Sequence, residues 1–312
     1  MALEKASLND LITIDKNHLD RITERRQLHR VLGGKATDIL HYDHPCYTAA
    51  EDGTKEFYEL ITSYLPVRYP TIYQKVRGMF WWPEYLHTDL NCPASAFNDF
   101  SAAHGNHDIP INCPEDVREG LTNISSTLDE DFLVLVPAED GDGYILGSYI
   151  ACFPQGFDTS TLLGKRVRDI HAPVPKYDEK LKTSMERFFD RMETGKFVRR
   201  ANWSLATTSK LYTGDVQTHY HEGEERLQEE FKPEECFQRT EAQILFRLPK
   251  TRALVFVIKT YLYILQEIKD EGLGDEFADA IEGLTKGNVP EIFTYKRGPV
   301  WAEQIKAYLR SG

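Results

Sequence analysis

Apolar residues recur at helical spacing in residues 54–65 (TKEFYELITSYL), where Phe57, Leu60, Ile61, Tyr64 and Leu65 fall on one face. Pro66 is expected to stop this helix, because proline lacks an N–H and crowds the preceding turn. The pattern changes after residue 130. Residues 131–154 (DFLVLVPAEDGDGYILGSYIACFP) hold two apolar runs around an Asp-Gly turn, which predicts a hairpin. Residues 160–170 (STLLGKRVRDI) predict a short helix. Residues 176–195 predict an amphipathic helix with Leu181, Met185, Phe188, Phe189 and Met192 inward and Gly195 as its stop. FVRRANWSL (197–205) predicts a strand, and residues 239–265 a second hairpin turning at Pro249, Lys250 and Thr251. Residues 269–312 read as mostly helical. The result is an α+β protein with about five strands, helices inserted between the strand pairs and helices at both ends. Residues 1–50 are charged and predict an N-terminal helical arm, and 51–312 one main domain. Within it, residues 66–128 read as irregular cover with short helices.

At 312 residues the chain can bury a sizeable core without disulfide or metal staples. Its net charge of −12 repels phosphate backbones and anionic lipid, which argues against nucleic acid and membrane surfaces as partners. Cysteine changes the picture a little further. Cys46, Cys92, Cys113, Cys152 and Cys236 are odd in number, widely spaced and form no CxxC. That predicts free thiols in a reducing compartment, hence a cytoplasmic protein. The N-terminus shows no apolar signal region, and no apolar stretch reaches membrane-spanning length.

Three groups of residues carry candidate chemistry. If residues 239–247 form a strand, Arg239, Glu241, Gln243 and Arg247 share one face and Thr240, Ala242, Ile244 and Phe246 the other. The polar face is either solvated or lines a pocket. The next strand (ALVFVIKTYLYIL) is apolar on both faces, which favours the pocket, where buried Arg and Glu need partners. His171 follows the short helix and precedes APVP, whose prolines stiffen the exit. It reads either as a packed core histidine or as a metal or haem ligand through a neutral imidazole nitrogen. His219, His221 and Glu225 stand at HxHxxxE spacing, similar to the first metal motif of cupins. No histidine follows His221, and the surrounding polarity (THYHEGEERLQEEFKPEE) favours a solvated loop over a metal site. His104 and His107, like His41 and His44, read as surface residues. No GxGxxG opens a helix, and neither a Walker loop nor a GxSxG elbow is present.

Seven motifs together resemble the haem-dependent oxidative N-demethylase family, in its haem-bearing subunit and related fungal proteins. They are LPVRYP (65–70), ACFP (151–154), IHAPVPKY (170–177), RFFDRM (187–192), RRANWSL (199–205), RTEAQILFRLP (239–249) and VFVIKTYL (255–262). They keep the family's order and extend over roughly residues 55–308. The resemblance implies a PAS-like five-stranded antiparallel sheet with inserted and flanking helices. It implies haem b, with His171 as the proximal iron ligand. It makes Arg239, Glu241 and Tyr261 candidate catalytic residues, and Asn202, Trp203, Arg239 and Gln243 candidate cofactor-pocket residues, with Thr260 beside them. The implied reaction uses O₂ to oxidise the carbon beside an amine nitrogen; the carbinolamine then collapses to aldehyde and amine. The partners implied are a small-molecule substrate, O₂ and a separate reductase, since the chain has no flavin, dinucleotide or iron–sulfur motif. A rearrangement or dehydration in secondary metabolism, a PAS-type gas sensor and a haem-free binding role remain open alternatives.

Overall fold

The computed structural model describes residues 3–76, 79–81, 109–216, 218–220 and 230–311. In chain order the elements are β1 (Glu4–Ala6), α1 (His18–Leu32), β2 (Thr37–Ile39), α2 (Tyr47–Arg68), β3 (Gln74–Val76), β4 (Met79–Trp81), β5 (Ile109–Pro110), α3 (Val117–Ser125), β6 (Asp131–Pro137) and β7 (Tyr144–Ile150). There follow α4 (Val167–His171), α5 (Lys182–Arg191), β8 (Phe197–Ala206), β9 (Phe237–Arg247), β10 (Leu254–Ile264), α6 (Leu265–Asp270), α7 (Gly274–Lys286), α8 (Glu291–Tyr295) and α9 (Gly298–Arg310). The main sheet is antiparallel with seven strands in the order β1-β8-β9-β10-β6-β7-β2; β3, β4 and β5 form a separate three-stranded sheet.

The α+β class and both hairpins follow from the alternation of apolar residues. The sheet is wider than five strands because the N-terminal segment adds β1 beside β8 and β2 beside β7. Each is three residues long, too short to carry a period-two pattern. Helix α2 also runs past Pro66. The proline forfeits one backbone bond near the end, and the turn closes beyond it through Tyr69 N–H to Leu65 O at 2.8 Å. Leu181, expected inward, lies at the start of α5 and is 38% exposed.

The core forms where α2 lies on the sheet. Phe57, Ile61 and Leu65 pack with Phe132, Val134 and Val136 of β6 and Val255 and Val257 of β10. Phe57 and Phe132 sit 4.8 Å apart between ring centroids. Gly53 permits this approach, since a Cβ there would meet the Ala253 Cβ at 3.1 Å. Glu56 of the same helix holds the β9–β10 turn, accepting from the backbone N–H groups of Lys250 and Thr251 at 2.7 Å each. A second cluster gathers Phe277, Ile281, Trp301 and Ile305 of the C-terminal helices.

Buried charge ties the N-terminal segment to the sheet. Asp129 Oδ1 accepts from Lys259 Nζ at 2.5 Å and lies 3.1 Å from His18 Nδ1. Lys259 also donates to the Thr13 carbonyl at 2.7 Å, and Arg25 pairs with Asp131 at 2.7 Å. Burial opposes ionisation of Asp129, but the bond and charge of His18 and the charge of Lys259 outweigh it and hold the carboxyl below its usual range. Burial likewise opposes the Lys259 charge, and Glu130 and Asp129 outweigh it.

Candidate functional site

Strand alternation places Arg200, Asn202 and Ser204 of β8 on the same face as Arg239, Glu241 and Gln243 of β9 and Thr260 of β10. The register pairs Arg200 with Gln243, Asn202 with Glu241, Ser204 with Arg239, and Thr260 with Glu241. This face is covered rather than solvated: Arg239, Gln243 and Thr260 are 1%, 6% and 1% exposed. One end is closed by the chain following β7. Arg239 donates to the carbonyls of Phe153 at 2.6 Å and Leu211 at 2.9 Å, and Gln155 donates to Ser204 Oγ at 2.5 Å. The Arg239 guanidinium therefore buckles two loops to the sheet. At the opposite end Arg247 donates to the carbonyls of Met192 and Phe189 and to the Tyr144 hydroxyl.

Between these two closures the polar groups are less spoken for. Glu241 Oε2 accepts from Gln243 Nε2 at 2.9 Å. Among the described residues Gln243 Oε1 and Arg200 Nε are buried with no hydrogen-bond partner, an arrangement that costs free energy unless a ligand completes it. Lys296, just past α8, donates to Asn202 Oδ1 at 3.2 Å and to the Trp203 carbonyl. Burial pushes its ammonium down to about 8; Glu241 opposes that shift and Arg200 adds to it. These two strands and the α8–α9 junction therefore enclose one electrostatic unit.

His171 ends α4. Its Nδ1 lies 2.8 Å from the Val167 carbonyl. A carbonyl only accepts, so Nδ1 carries the proton and Nε2 keeps a free lone pair. Burial pushes the imidazole below its ordinary value, the Val167 bond opposes this, and Arg200 adds to the burial effect. The ring is thus neutral at pH 7, as a ligand must be. The APVP segment folds back in turns, with Val174 N–H bonded to the His171 carbonyl at 2.8 Å and Tyr177 N–H to the Val174 carbonyl at 3.1 Å. That return stacks Tyr177 on the imidazole, with centroids 5.3 Å apart and planes 20° apart.

Four residues singled out in the sequence, Asn202, Glu241, Gln243 and Thr260, share this face, with Arg239 at its closed end; His171 stands on α4, off the sheet. Two others on these strands do not share it. Tyr261 and Trp203 are each one position out of phase with the polar face. Tyr261 stacks on Tyr263, centroids 6.0 Å apart, and Trp203 packs edge-on against Phe277 at 5.2 Å. Sequence reasoning missed Arg200 and Lys296. Alternation along RRANWSL identifies Arg200 once the strand is accepted; nothing local identifies Lys296. His41 pairs with Asp43 at the surface, and His44 accepts from Cys46 N–H at 3.1 Å. His219 lies near Tyr295, with ring centroids 4.6 Å apart. His104, His107, His221 and Glu225 lie outside the described residues. Among the described residues no group of three or more His, Cys, Asp or Glu could hold a bare metal ion, and no helix is long and apolar enough to cross a membrane. Cys46, Cys113, Cys152 and Cys236 are free thiols.

A covered polar sheet face with buried atoms left over is suited to hold a polar ligand, and a neutral imidazole with its far nitrogen anchored is suited to hold an iron. The donor set fits haem: one histidine with its far nitrogen anchored, and buried polar atoms still lacking partners. The model of the family described as "Haem-dependent oxidative N-demethylase, alpha subunit-like" matches residues 2–306, and the chain belongs to that family. The match includes the N-terminal segment that supplies β1, α1 and β2.

Proposed function

We propose that this chain binds haem b through His171 Nε2 and oxidises an amine with O₂, releasing an aldehyde. The observation that carries the reading is the anchored Nδ1–H of His171, which leaves the Nε2 lone pair to bind iron. A PAS-like description of the sheet is supported by the five long strands β6 to β10, with α4 and α5 inserted between the first hairpin and β8.

Haem, when bound, supplies activation of dioxygen, with two electrons delivered by a separate donor. The chain's own residues do the rest. Val167 fixes the His171 tautomer, and Tyr177 fixes its ring plane. Arg239 closes the end of the pocket and keeps water out. Glu241, steadied by Gln243, meets the substrate ammonium and takes its proton, so that the neutral amine is presented for oxidation. Asn202 and Thr260 shape the floor. The overall change consumes the amine, O₂, two electrons and two protons, and yields water and a carbinolamine that separates into aldehyde and demethylated amine.

Turnover of the haem-loaded chain with N-methylated amines, O₂ and a generic reductant tests this, with formaldehyde as the readout. Formaldehyde is expected in step with amine consumed, and Glu241→Gln is expected to lower the rate by about 10²-fold or more. Haem-loaded protein that produces no aldehyde from a panel of N-methyl amines would contradict the reading.

A further inference from the structure

Two cations converge on the polar face of β8 and β9, and one carboxylate answers them. Arg200 feels Glu241 across the β8–β9 register, yet the Glu241 oxygen is taken by Gln243 Nε2. Arg200 Nε is buried without a partner among the described residues. Lys296 is desolvated; it donates to the neutral acceptors Asn202 Oδ1 and the Trp203 carbonyl and lies 5.1 Å from the Trp203 ring centroid, and among the described residues no carboxylate pairs with it. An ammonium has three donors, and these bonds use two of them. Gln243, 6% exposed, leaves Oε1 open beside them. Buried cations of this kind call for an anion, and a guanidinium beside an ammonium suits a carboxylate.

A plain alkylammonium would bring a third positive charge here, with Glu241 alone to meet it. A zwitterion resolves the arrangement, because its carboxylate answers the two cations and its ammonium answers Glu241. We propose that Arg200 and Lys296 form a carboxylate subsite, and that the substrate class is an N-methylated amino acid rather than a simple alkylamine. The proposal rests on the amine-oxidising reading of the same pocket. A haem propionate offers the same carboxylate chemistry, so the test separates the two sources.

Calorimetric titration of the haem-loaded chain compares N,N-dimethylglycine with dimethylamine, alongside haem affinity by absorbance, for wild type, Arg200→Gln and Lys296→Gln. N,N-dimethylglycine is expected to bind at least about tenfold more tightly than dimethylamine. Each variant should bring that ratio close to one while keeping haem affinity within about twofold. Equal binding of the two ligands by wild type would overturn the proposal. So would variants that lose haem affinity and keep the ratio, because the cations would then hold propionates. If the chain takes up no haem, the functional reading fails on its own account. The same titration on the haem-free chain then decides the subsite, with no preference for the carboxylated ligand counting against it.

Discussion

Around Asp129 the sheet buries charge beside charge: Lys259 of β10, His18 and Arg21 of α1 and the Asp129 carboxylate lie within ion-pair distance of one another's partners. On the opposite face of β9 and β10, Arg200, Glu241 and Lys296 act on one another at longer range, with Arg200 Nε and Gln243 Oε1 left open. Both regions are polar and largely buried, and they lie on opposite faces of one sheet. The first joins the N-terminal segment to the sheet and spends its charges on protein partners. The second keeps donors and acceptors in reserve, which costs stability and is tolerated where a ligand completes the set. Burial of charge therefore does not mark a site; burial of charge without partners does.

Substitution separates the two regions most sharply. Lys259→Met removes the cation nearest the buried Asp129 and the one paired with the buried Glu130, and is expected to cost about 3–5 kcal/mol in urea unfolding. Acid should weaken the same region. The Asp129 carboxyl lies below its ordinary value of 3.8 in the folded chain, so its contribution is fully present above about pH 5 and is lost as pH falls through and below that value. Unfolding free energy measured from pH 6 down to pH 2 should decline, and Asp129→Asn should flatten the decline. Glu56→Gln, which weakens the cap on the β9–β10 turn, should cost about 1 kcal/mol by the same urea measurement. Arg200→Gln should be the mildest, within about 0.5 kcal/mol of wild type or slightly more stable, because the guanidinium lacks a protein partner at Nε. A large loss in Arg200→Gln would show that the pocket face is structural, like the Asp129 region, and the contrast would collapse.

Much of this is written in alternation. Arg239, Glu241 and Gln243 fall on one face because β9 is regular over eleven residues. The same rule carried through FVRRANWSL sets Arg200 with Asn202 and turns Trp203 away, and carried through VFVIKTYL it turns Tyr261 away from Thr260. His171 is prominent because prolines follow it, yet its tautomer depends on a helix turn that brings the Val167 carbonyl under Nδ1. Three things have no local signal. Strands β1 and β2 are three residues long. The role of Arg239 as a buckle depends on carbonyls at Phe153 and Leu211, brought near only by the fold. Lys296 reaches the pocket from a helix junction in an otherwise ordinary amphipathic region.

The central claim, that His171 is poised as an axial ligand rather than packed as a core residue, is tested by absorption spectra of haem-supplemented wild type and His171→Ala, with urea unfolding in parallel. Wild type is expected to show a Soret band of histidine-ligated haem. His171→Ala should lose that band or shift it away from histidine ligation, while unfolding stays within about 1 kcal/mol of wild type. An unchanged haem spectrum in the variant, or loss of haem only together with loss of the fold, would contradict the account.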